Sequence, residues 1–327
     1  MNRQYDGKKA LIVGGLGFIG SNLAHALVEA GADVTIADCQ LPGHGANLFN
    51  LHGIEQRVNV HYTDIRDAFG MAALVQNQDV IFNIAAHSSH LDSVKNPLYD
   101  LDINARGNLI LLEAVCKAGA KSRVVYVGTR AQYGRILHKP VAEEHPMNPL
   151  EQYAAHKMLA ERYHLIYHHL YGLPVTCLRV NNTYGPRSQM GHARFGVLNW
   201  FMRLAIENKQ ITVHGDGSQY RDYNYIQDVV AALLMAGVDE RMNGEVYNLG
   251  SDDPRPFREL VELILAAAGQ GSYACVPFPH ENQVIDVGDF VADITKIKAL
   301  GWQPKTDYVE GFQRTIEFYR EYQKHYW

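Results

Sequence analysis

A tyrosine and a lysine four residues apart are the first side chains that suggest chemistry. Tyr153 and Lys157 delimit the segment YAAHK, and residues four apart lie on the same face of a helix. A neighbouring ammonium group favours the phenolate, so it lowers a phenol pKa whose reference value is about 10. The spacing therefore predicts a general base, whereas the same pair in isolation is more often an ordinary surface pair.

Thr129 is a candidate companion of this pair. It follows the apolar run 124–127, which predicts a strand, and ligands bind beyond the carboxyl ends of strands in open α/β sheets. The Thr129 hydroxyl is predicted to hydrogen-bond the substrate oxygen that Tyr153 deprotonates. Without Tyr153 and Lys157, a capping or turn threonine would be the simpler interpretation.

The segment GGLGFIG at residues 14–20 has the glycine spacing of a phosphate-binding turn. It follows the apolar run 10–13 and precedes a helical pattern, so the N–H groups and positive dipole end of a helix face the turn. Glycine permits the tight turn and lets the backbone approach a pyrophosphate. The predicted contacts are Gly14, Gly17, Phe18, Ile19 and Gly20.

An acidic residue ends the second apolar run, and another follows shortly after the third. Asp38 can accept hydrogen bonds from both hydroxyls of a ribose and would repel a 2′-phosphate, and the two residues after it offer no arginine to bind one. These features favour NAD over NADP as the cofactor. Asp64, followed by Ile65, is predicted to accept a hydrogen bond from the adenine amino group, with a helix N-cap as an equal alternative.

Strands and helices alternate through the first half of the chain. The predicted strands are apolar throughout, so both faces of their sheet should be buried; they are 10–13, 33–38, 58–62, 80–85, 124–127 and 175–180. Helical stretches between them predict an α/β fold with a doubly wound parallel sheet. After about residue 182 loops become richer in Gly, Pro and Asn. We therefore expect a dinucleotide-binding domain over 1–182 and, mainly, a smaller substrate-binding lobe over 183–327.

Composition excludes several classes of protein. The 327 residues are 47% apolar and 20% charged, with a net charge of −5 and no block of like charge, which argues against nucleic-acid binding. No apolar run approaches the ~20 residues of a membrane span. The four cysteines form no CxxC pair, and no signal core precedes the first strand, so we expect a cytoplasmic protein. His164 and His168 lack an HExxH glutamate, so no metal site is expected.

Together these motifs follow the order of a known family along nearly the whole chain. The further landmarks are AAH at 85–87, YG at 133–134, RVNNTYGPR at 179–187, GDGSQYRDY at 215–223, ADITK at 292–296 and LGW at 300–302. With them the chain resembles the extended short-chain dehydrogenase/reductases, in particular the nucleotide-sugar epimerase/dehydratase family and its UDP-glucose 4-epimerases. The resemblance implies a Rossmann domain, NAD as cofactor and a nucleotide-diphosphate sugar as substrate.

The resemblance also assigns roles around the cofactor. It makes Tyr153 the base, Lys157 the ligand of the nicotinamide ribose and Thr129 their hydroxyl partner. Ala85 and Ala86, which end the fourth strand, are expected to contact NAD.

On the substrate side, the resemblance implies that Asn182 lines the nucleotide diphosphate and that Arg221 binds its phosphate. Arg187 is either a further anion contact or a solvated loop residue. His87 lies at the lip of the site, either as an acid–base residue or as a hydrogen-bonded histidine of the pocket.

The two residues after Thr129 distinguish the reactions of this family. Its 4,6-dehydratases resemble one another in having Asp then Glu there, its UDP-glucuronate decarboxylases typically have Glu second, and its GDP-mannose 3,5-epimerases have Cys. Arg130 and Ala131 stand here, and neither can act as a carboxylic acid or a thiol. Epimerisation at C4 of a nucleotide sugar, a UDP-hexose first of all, needs only Tyr153, Lys157, Thr129 and NAD.

Three positions depart from the family's pattern, and a fourth bears on the size of the sugar. Gly128 replaces a serine, and Arg130 is unusual in a C4 epimerase, so it either contacts an anionic group such as a carboxylate or forms a structural salt bridge. Gln283 or a neighbour stands where relatives often have a second phosphate-binding arginine. Phe290 is bulky at a position that makes room for a 2-N-acetyl group, which favours an unsubstituted hexose.

Other functions stay open at this stage. A 4,6-dehydratase, a 2-epimerase or a 4-ketoreductase would use the same cofactor and substrate class, and a non-catalytic NAD-sensing protein would use the same fold. The intact Tyr153, Lys157 and Thr129 argue against a sensor. The resemblance further implies a homodimer in which helices 98–117 and 151–171 of each protomer form a four-helix bundle, with ordinary core packing as the alternative.

Overall fold

The apolar runs of the first half form one parallel sheet. The computed structural model describes residues 3–119, 121–278 and 288–327. The strands are β1 Lys9–Val13, β2 Asp33–Ala37, β3 Val58–His61, β4 Val80–Asn83, β5 Arg123–Thr129, β6 Val175–Val180, β7 Asn182–Tyr184, β8 Gln210–His214, β9 Tyr220–Arg221, β10 Tyr223–Tyr225, β11 Glu245–Leu249, β12 Arg255–Pro256 and β13 Ser272–Val276. Seven of them form a sheet in the order β11-β6-β5-β4-β1-β2-β3. The predicted doubly wound sheet is confirmed.

Helices cover both faces of this sheet. They are α1 Phe18–Glu29, α2 Ala68–Leu74, α3 His90–Lys95, α4 Pro97–Leu101, α5 Gly107–Lys117, α6 Gln152–Tyr171, α7 Val197–Ile206, α8 Ile226–Ala236, α9 Phe257–Ala268, α10 Thr295–Lys298 and α11 Tyr308–Tyr322. α1 and α8 pack together, and α2, α5 and α6 form another packed group. The six predicted strands all appear, within a few residues at their ends.

The register of the central strands brings their carboxyl ends to one edge. Val13 of β1 pairs with Ala37 of β2 on one side and with Asn83 of β4 on the other. The residues that follow these strands therefore emerge side by side. This edge carries the glycine turn, Asp38 and the segment after β4.

α6 presents the tyrosine and lysine that the sequence singled out. It begins after Glu151, whose carboxylate accepts hydrogen bonds from the N–H groups of Tyr153 and Ala154. It ends at Gly172, which takes a left-handed conformation with φ of 66°. Both ends agree with the predicted helix 151–171, because an acidic N-cap and a C-terminal glycine are strong local signals.

The predicted helix 98–117 contains a turn of a different kind. α4 and α5 are joined by the π-helical turn Asp102–Arg106. Asn104 lies in this turn, fully buried, and donates to the backbone oxygen of His87 and to the carboxylate of Asp100. A π-turn has one residue more than an ordinary helical turn. The apolar periodicity does not predict it here, because the turn positions the polar contacts of Asn104 and not an apolar side chain.

The second half of the chain forms the lobe and then returns to the main sheet. β8 pairs with β13, β7 with β10, and β9 with β12. α7, α9 and α11 pack against one another. β11 joins the main sheet beside β6, so part of the chain beyond residue 182 belongs to the sheet of the first domain.

Three expectations from composition concern the whole chain. Within the described ranges, no helix combines the length and the apolar character needed to cross a bilayer. Within the same ranges, no group of three or more His, Cys, Asp or Glu side chains is placed to hold a metal ion. Cys39, Cys116, Cys177 and Cys275 are all free thiols.

Candidate active site

A cavity of about 900 Å³ lies between the edge of the sheet and the lobe. The structure brings most of the predicted site residues to its wall: Gly14, Gly17, Phe18, Ile19, Gly20, Asp38, Asp64, Ile65, Ala85, Ala86, Thr129, Arg130, Tyr153, Lys157, Asn182 and Arg221. His87 and Arg187 are not among the lining residues. The wall thus joins residues that are up to two hundred positions apart in the chain, as a site at the carboxyl ends of parallel strands requires.

Three of the four glycines of the turn, Gly14, Gly17 and Gly20, have different reasons for being glycine. Gly14 has φ of +89°, and a Cβ there would lie 2.8 Å from the backbone of Ala85. A Cβ on Gly20 would lie 2.2 Å from the carbonyl oxygen of Gly14, so helix and turn could not approach. Gly17 has an ordinary φ of −76°, and a Cβ on it would meet no atom closer than 3.6 Å. The protein leaves space above Gly17, at the start of α1, where a pyrophosphate fits.

Gly17→Thr is expected to weaken NAD binding with little effect on folding. Threonine caps a helix about as well as glycine, so the free energy of unfolding should change by less than about 1 kcal/mol. The added side chain fills the space above the turn, and overpacking of about 1–3 kcal/mol corresponds to a Kd raised roughly tenfold or more. Calorimetric titration with NAD and urea unfolding measure the two effects. Gly191→Thr, at an exposed position that is not among the residues lining the cavity, is the control. Unchanged NAD affinity in Gly17→Thr would contradict the assignment.

Two carboxylates stand at the same end of the cavity as the glycine turn. Asp38 accepts a hydrogen bond from the backbone N–H of Leu16 at 3.0 Å, and burial raises the pKa of Asp38. Asp64 is bound by the guanidinium of Arg66 at 2.7 Å, which holds its pKa low. The N-cap of α2 is Asp67, so the capping alternative for Asp64 is wrong. Both carboxylates line the cavity at the strand ends where the adenosine of a dinucleotide binds.

The candidate catalytic residues Thr129, Tyr153 and Lys157 all line the wall of the cavity. Hydrogen bonding to the Thr129 side chain lowers the pKa of Tyr153. The Thr129 hydroxyl also accepts from the backbone N–H of Ala131 at 3.2 Å, so the capping role considered from the sequence is present as well. Lys157, 2% exposed, donates to the backbone oxygen of Val127 at 2.7 Å, and its ammonium group lies 4.4 Å from the centre of the Tyr126 ring. Tyr153 and Lys157 lie on one face of α6, as their spacing predicts.

Burial dominates the protonation of this pair. It raises the pKa of Tyr153, the charge of Glu151 adds to the effect, and the hydrogen bond with Thr129 opposes it. Burial also lowers the pKa of Lys157 to about 7, against the attraction of Asp100 and Glu161. The sequence predicted that Lys157 lowers the pKa of the Tyr153 phenol. In the protein without cofactor, burial has the larger effect and raises that pKa. A cationic nicotinamide beside the phenol would act in the opposite direction to burial.

The lowered pKa of Lys157 predicts a dependence of stability on pH. Between about 7 and its ordinary value of 10.5, the unfolded chain binds a proton that the folded chain does not. The contribution of Lys157 to the free energy of unfolding is therefore lost as the pH falls through 7 and grows as the pH rises.

Urea unfolding of the cofactor-free protein at pH 7 and pH 9 measures this effect. From pH 7 to pH 9, the free energy of unfolding of the parent chain should rise by about 2 kcal/mol relative to that of Lys157→Met. A difference that is the same at both pH values would mean that the lysine is not desolvated. Lys121→Met, at an exposed position, is the control and should show no such trend.

A second ionisable pair adjoins Tyr153, and the sequence analysis missed it. His90 lines the cavity, its ring packs edge-on against the Tyr153 ring at 5.0 Å, and its Nδ1 lies 2.9 Å from the carboxylate of Glu151. The same carboxylate accepts from the hydroxyl of Ser93 at 2.9 Å. The acidic residue before α6 was a readable N-cap signal, but no sequence pattern links it to His90, which is 61 residues away.

The arginine after Thr129 is held on the cavity wall. Its guanidinium carbon lies 5.0 Å from the centre of the Phe290 ring, and Nε of Arg130 lies 3.4 Å from the side-chain oxygen of Asn182. Arg221, 9% exposed, lines the cavity from β9 and donates to the backbone oxygens of Tyr220 and Gly288. The predicted contact at Gln283 lies outside the described residues.

His87 lies behind the wall instead of on it. It is 3% exposed, and its Nδ1 lies 2.8 Å from Asp100, whose other oxygen lies 2.6 Å from Nδ1 of His156. Its backbone N–H donates to Asn104. Of the two alternatives for His87, the structure shows a hydrogen-bonded histidine. It is not among the residues that line the cavity.

Arg187 is also directed away from the cavity wall. Its NH1 donates to the side-chain oxygen of Asn22 at 3.0 Å, and its guanidinium lies 5.4 Å from the centre of the Phe318 ring. Burial lowers its pKa. Arg187 is a partly buried residue that ties the loop after β7 to α1 and α11.

The lobe supplies an apolar and aromatic end to the cavity. The lining residues there are Trp200, Phe201, Leu204, Thr212, His214, Phe257 and Phe278. They come from α7, β8, α9 and the segment after β13. These residues were not predictable from the sequence, because apolar residues of a helix or strand give no sign of whether they face a core or a cavity.

The fold and this cavity define a dinucleotide-dependent enzyme of the extended short-chain dehydrogenase/reductase kind, with NAD as cofactor. The chain belongs to the NAD-dependent epimerase/dehydratase family, whose sequence profile matches residues 10–250. It is 33% identical over 316 residues to UDP-glucose 4-epimerase of Mycolicibacterium smegmatis, covering 95% of this chain and 98% of the relative. It is also 33% identical over 326 residues to UDP-N-acetyl-alpha-D-glucosaminuronate decarboxylase of Bacillus cytotoxicus, covering 96% and 98%. The structure of UDP-glucose 4-epimerase from Thermotoga maritima with UDP-glucose matches with a TM-score of 0.87 and 31% identity, covering 96% of this chain and 99% of that one. The chain is thus an enzyme of nucleotide-sugar modification.

Proposed function

We propose that this enzyme interconverts nucleotide sugars that differ in configuration at C4, with a UDP-hexose as the substrate class. One observation carries the proposal. Thr129, Tyr153 and Lys157 line the same cavity, and the residues after Thr129 are Arg130 and Ala131. The wall therefore has the groups for removing a proton from O4, and it lacks at these positions the acids that the related eliminations use.

The chain's own groups have a defined part in this reaction. NAD held by the glycine turn, Asp38 and Lys157 would supply reversible hydride transfer at C4 of the sugar. Tyr153 takes the proton from O4 and gives it back, while Thr129 holds the same oxygen through a hydrogen bond. Lys157 binds the nicotinamide ribose and contributes positive charge beside the phenol. The proton and the hydride both return, so no external acid or oxidant is needed.

The rest of the cavity suits a nucleotide diphosphate. Arg221 and Asn182 are our proposed phosphate contacts, since a guanidinium and an amide N–H both donate to phosphate oxygens. The aromatic end of the cavity, with Trp200 and Phe278, suits the flat face of a nucleotide base. UDP is favoured because the Thermotoga maritima structure that this chain resembles holds UDP-glucose.

A 4,6-dehydratase is the second candidate, and the pair of His90 and Glu151 favours it. Elimination needs an acid for the leaving hydroxyl, and His90 is an ionisable group on the wall beside Tyr153. A 2-epimerase or a 4-ketoreductase has no comparable observation in its favour. A non-catalytic NAD sensor would have no need of the hydrogen-bonded Thr129 and Tyr153.

Incubation with a panel of UDP-, dTDP-, GDP- and CDP-sugars, followed by proton NMR, tests the proposal. A new C4 epimer in equilibrium with the substrate is the expected result, and the enzyme should keep NAD through many turnovers. A 4-keto-6-deoxy product would support the dehydratase and refute the epimerase. Net oxidation or reduction with release of the cofactor would support a reductase.

We also propose that the enzyme is a homodimer in which the helical segments 98–117 and 151–171 of each protomer form a four-helix bundle. The outer face of α6 exposes Ile166 and Leu170, at 46% and 62%, and Leu98 on α4 is 74% exposed. Apolar side chains at helical spacing on one face suit a helix–helix contact. Sedimentation velocity should give the mass of a dimer for the parent chain and of a monomer for Ile166→Asp. A monomeric parent chain would refute the proposal.

A further inference from the structure

A histidine beside the candidate base has no part in the proposed C4 reaction. His90, the first residue of α3, lines the cavity. The centre of its ring lies 5.0 Å from the centre of the Tyr153 ring, at an interplanar angle of 72°. The side chain of His90 is 45% exposed. A ring that lines the cavity and keeps this exposure is accessible to a ligand bound there.

The carboxylate of Glu151 sets the orientation of this ring. Nδ1 of His90 lies 2.9 Å from Glu151, whose side chain is 4% exposed. A carboxylate only accepts hydrogen bonds, so Nδ1 carries a proton and Nε2 of the neutral ring is an acceptor. The two nitrogens of an imidazole point in diverging directions. Nε2 is therefore turned away from Glu151.

Glu151 is itself held without the help of His90. Its carboxylate also accepts from the backbone N–H groups of Tyr153 at 2.7 Å and Ala154 at 3.1 Å, and from the hydroxyl of Ser93 at 2.9 Å. Capping of α6 therefore does not require a histidine at position 90. The same carboxylate fixes both the start of the helix that carries the phenol and the ring beside it, so the two groups are pre-organised relative to each other.

The free nitrogen of this ring is suited to a hydroxyl group. Among the described residues, none donates to or accepts from Nε2 of His90. An acceptor at this place pairs with a hydroxyl, which has one hydrogen to donate and recurs around a sugar ring. On a hexose whose O4 is bound at Tyr153, the nearest hydroxyls are those on C3 and on C6, the carbon attached to C5.

The cofactor is the other molecule of the site with hydrogen-bond donors, and it belongs to an earlier part of the same segment. A Cβ on Gly14 would lie 2.8 Å from the backbone of Ala85, so the glycine turn adjoins Ala85. His90 lies five residues further along and packs against the ring of Tyr153. Its position therefore favours the sugar over the dinucleotide as the partner of Nε2.

We propose that Nε2 of His90 accepts a hydrogen bond from a sugar hydroxyl next to C4, on C3 or on C6, and that His90 thereby selects nucleotide hexoses that carry this hydroxyl. The proposal rests on the proposed function, because it takes O4 to be bound at Tyr153. A sugar without the hydroxyl places a C–H group against a polar nitrogen. A site built to bind a hydroxyl discriminates against such an analogue.

Calorimetric titration measures this contact separately from turnover. The NAD-loaded, full-length Tyr153→Phe variant, which keeps the ring beside His90, is titrated with UDP-glucose, UDP-3-deoxyglucose and UDP-6-deoxyglucose. We expect the loss of one of the two hydroxyls to weaken binding roughly fivefold or more, as the loss of a hydrogen bond predicts. His90→Leu in the same background should abolish this penalty. His90→Gln, whose amide oxygen accepts near the place of Nε2, should keep part of it.

A second histidine paired with a glutamate provides the matched control. Nδ1 of His52 lies 3.2 Å from the carboxylate of Glu55, and His52 is not among the described residues that line the cavity. His52→Leu should leave the Kd values of the three sugars and the penalty for the missing hydroxyl unchanged.

Three results overturn the proposal. The first is equal affinity for all three sugars while His90 is present. The second is a penalty for the missing hydroxyl that persists in His90→Leu, whether or not the melting temperature falls, because His90 then has only a structural role. The third is a raised Kd of NAD in His90→Leu with the penalty unchanged, since the cofactor is then the partner of Nε2.

The failure of this proposal differs from a failure of the proposed function. Proton NMR of the parent chain with UDP-glucose reports whether C4 is inverted at all. Inversion without a penalty that depends on His90 refutes the hydroxyl contact and leaves the C4 epimerase in place. A penalty that depends on His90, without inversion, supports the contact and refutes the C4 epimerase.

Discussion

Tyr153→Phe is expected to lower kcat by roughly 10³-fold and to leave the binding of NAD and of the nucleotide sugar within a factor of about three. A positioned general base contributes about 10²- to 10⁴-fold to a proton transfer. The substitution removes the phenol oxygen that is bonded to Thr129 and keeps the ring that packs against His90. Initial rates at saturating substrate, together with calorimetric titration, measure the two quantities.

A second tyrosine of the same helix provides the control for this change. Tyr171, at the end of α6, is 62% exposed and far from the cavity wall. Tyr171→Phe should leave kcat unchanged. If Tyr153→Phe kept more than about a tenth of the parent kcat, the phenol would not be the base, because the loss would fall below the range of general base catalysis.

Glu161→Ala is expected to lower the free energy of unfolding by about 3–5 kcal/mol. The carboxylate of Glu161 is fully buried and accepts from Arg179 at 2.7 and 2.9 Å and from Gln132 at 2.8 Å. Removing it leaves the charge of Arg179, which is 4% exposed, without its partner in the interior. Urea unfolding of the cofactor-free protein measures the loss.

Two further variants show that the buried pair is the cause. Glu161→Leu combined with Arg179→Met removes both charges and should recover most of the lost stability, since a buried pair replaced by apolar groups is often near neutral. Asp252→Ala breaks the exposed pair of Asp252 with Lys298 and should cost less than about 1 kcal/mol. A similar small cost for Glu161→Ala would mean that solvent reaches Arg179.

This buried pair also supports the geometry of the active site. Gln132 donates to Glu161 and accepts from the backbone N–H of Thr129 at 3.2 Å. Arg179 donates to the hydroxyl of Tyr133, which in turn donates to Asn248 of β11. The turn that holds Thr129 is thus fixed to α6, to β6 and to the edge strand of the sheet.

The cofactor half of the site was predictable because its signals are local. Glycines, a strand, a helix and an acid follow one another within a few residues, and parallel strands place their carboxyl ends together. The structure accordingly brings Gly17, Asp38 and Thr129 to one cavity from three different strand ends. The helix that carries Tyr153 and Lys157 was predictable as well, because it begins and ends at strong capping residues.

The features that sequence did not predict depend on contacts between distant segments. β11 was missed because its polar residues Glu245 and Asn248 interrupt the apolar run, while the side chain of Asn248 donates to the backbone oxygen of Val141. The contact of His90 with Glu151 spans two elements. His87 was expected at the lip of the cavity because it follows strand β4, but the buried carboxylate of Asp100 holds it behind the wall.

The fate of the hydrogens on the sugar tests the central claim most directly. The enzyme is incubated in D₂O with UDP-glucose, and the products are examined by proton NMR and mass spectrometry. A C4 epimer that keeps its original hydrogens at C3, C4 and C5 is the predicted result, because the proton of O4 and the hydride of C4 are the only hydrogens that move. Deuterium at C5, or a 4-keto-6-deoxy product, would contradict it.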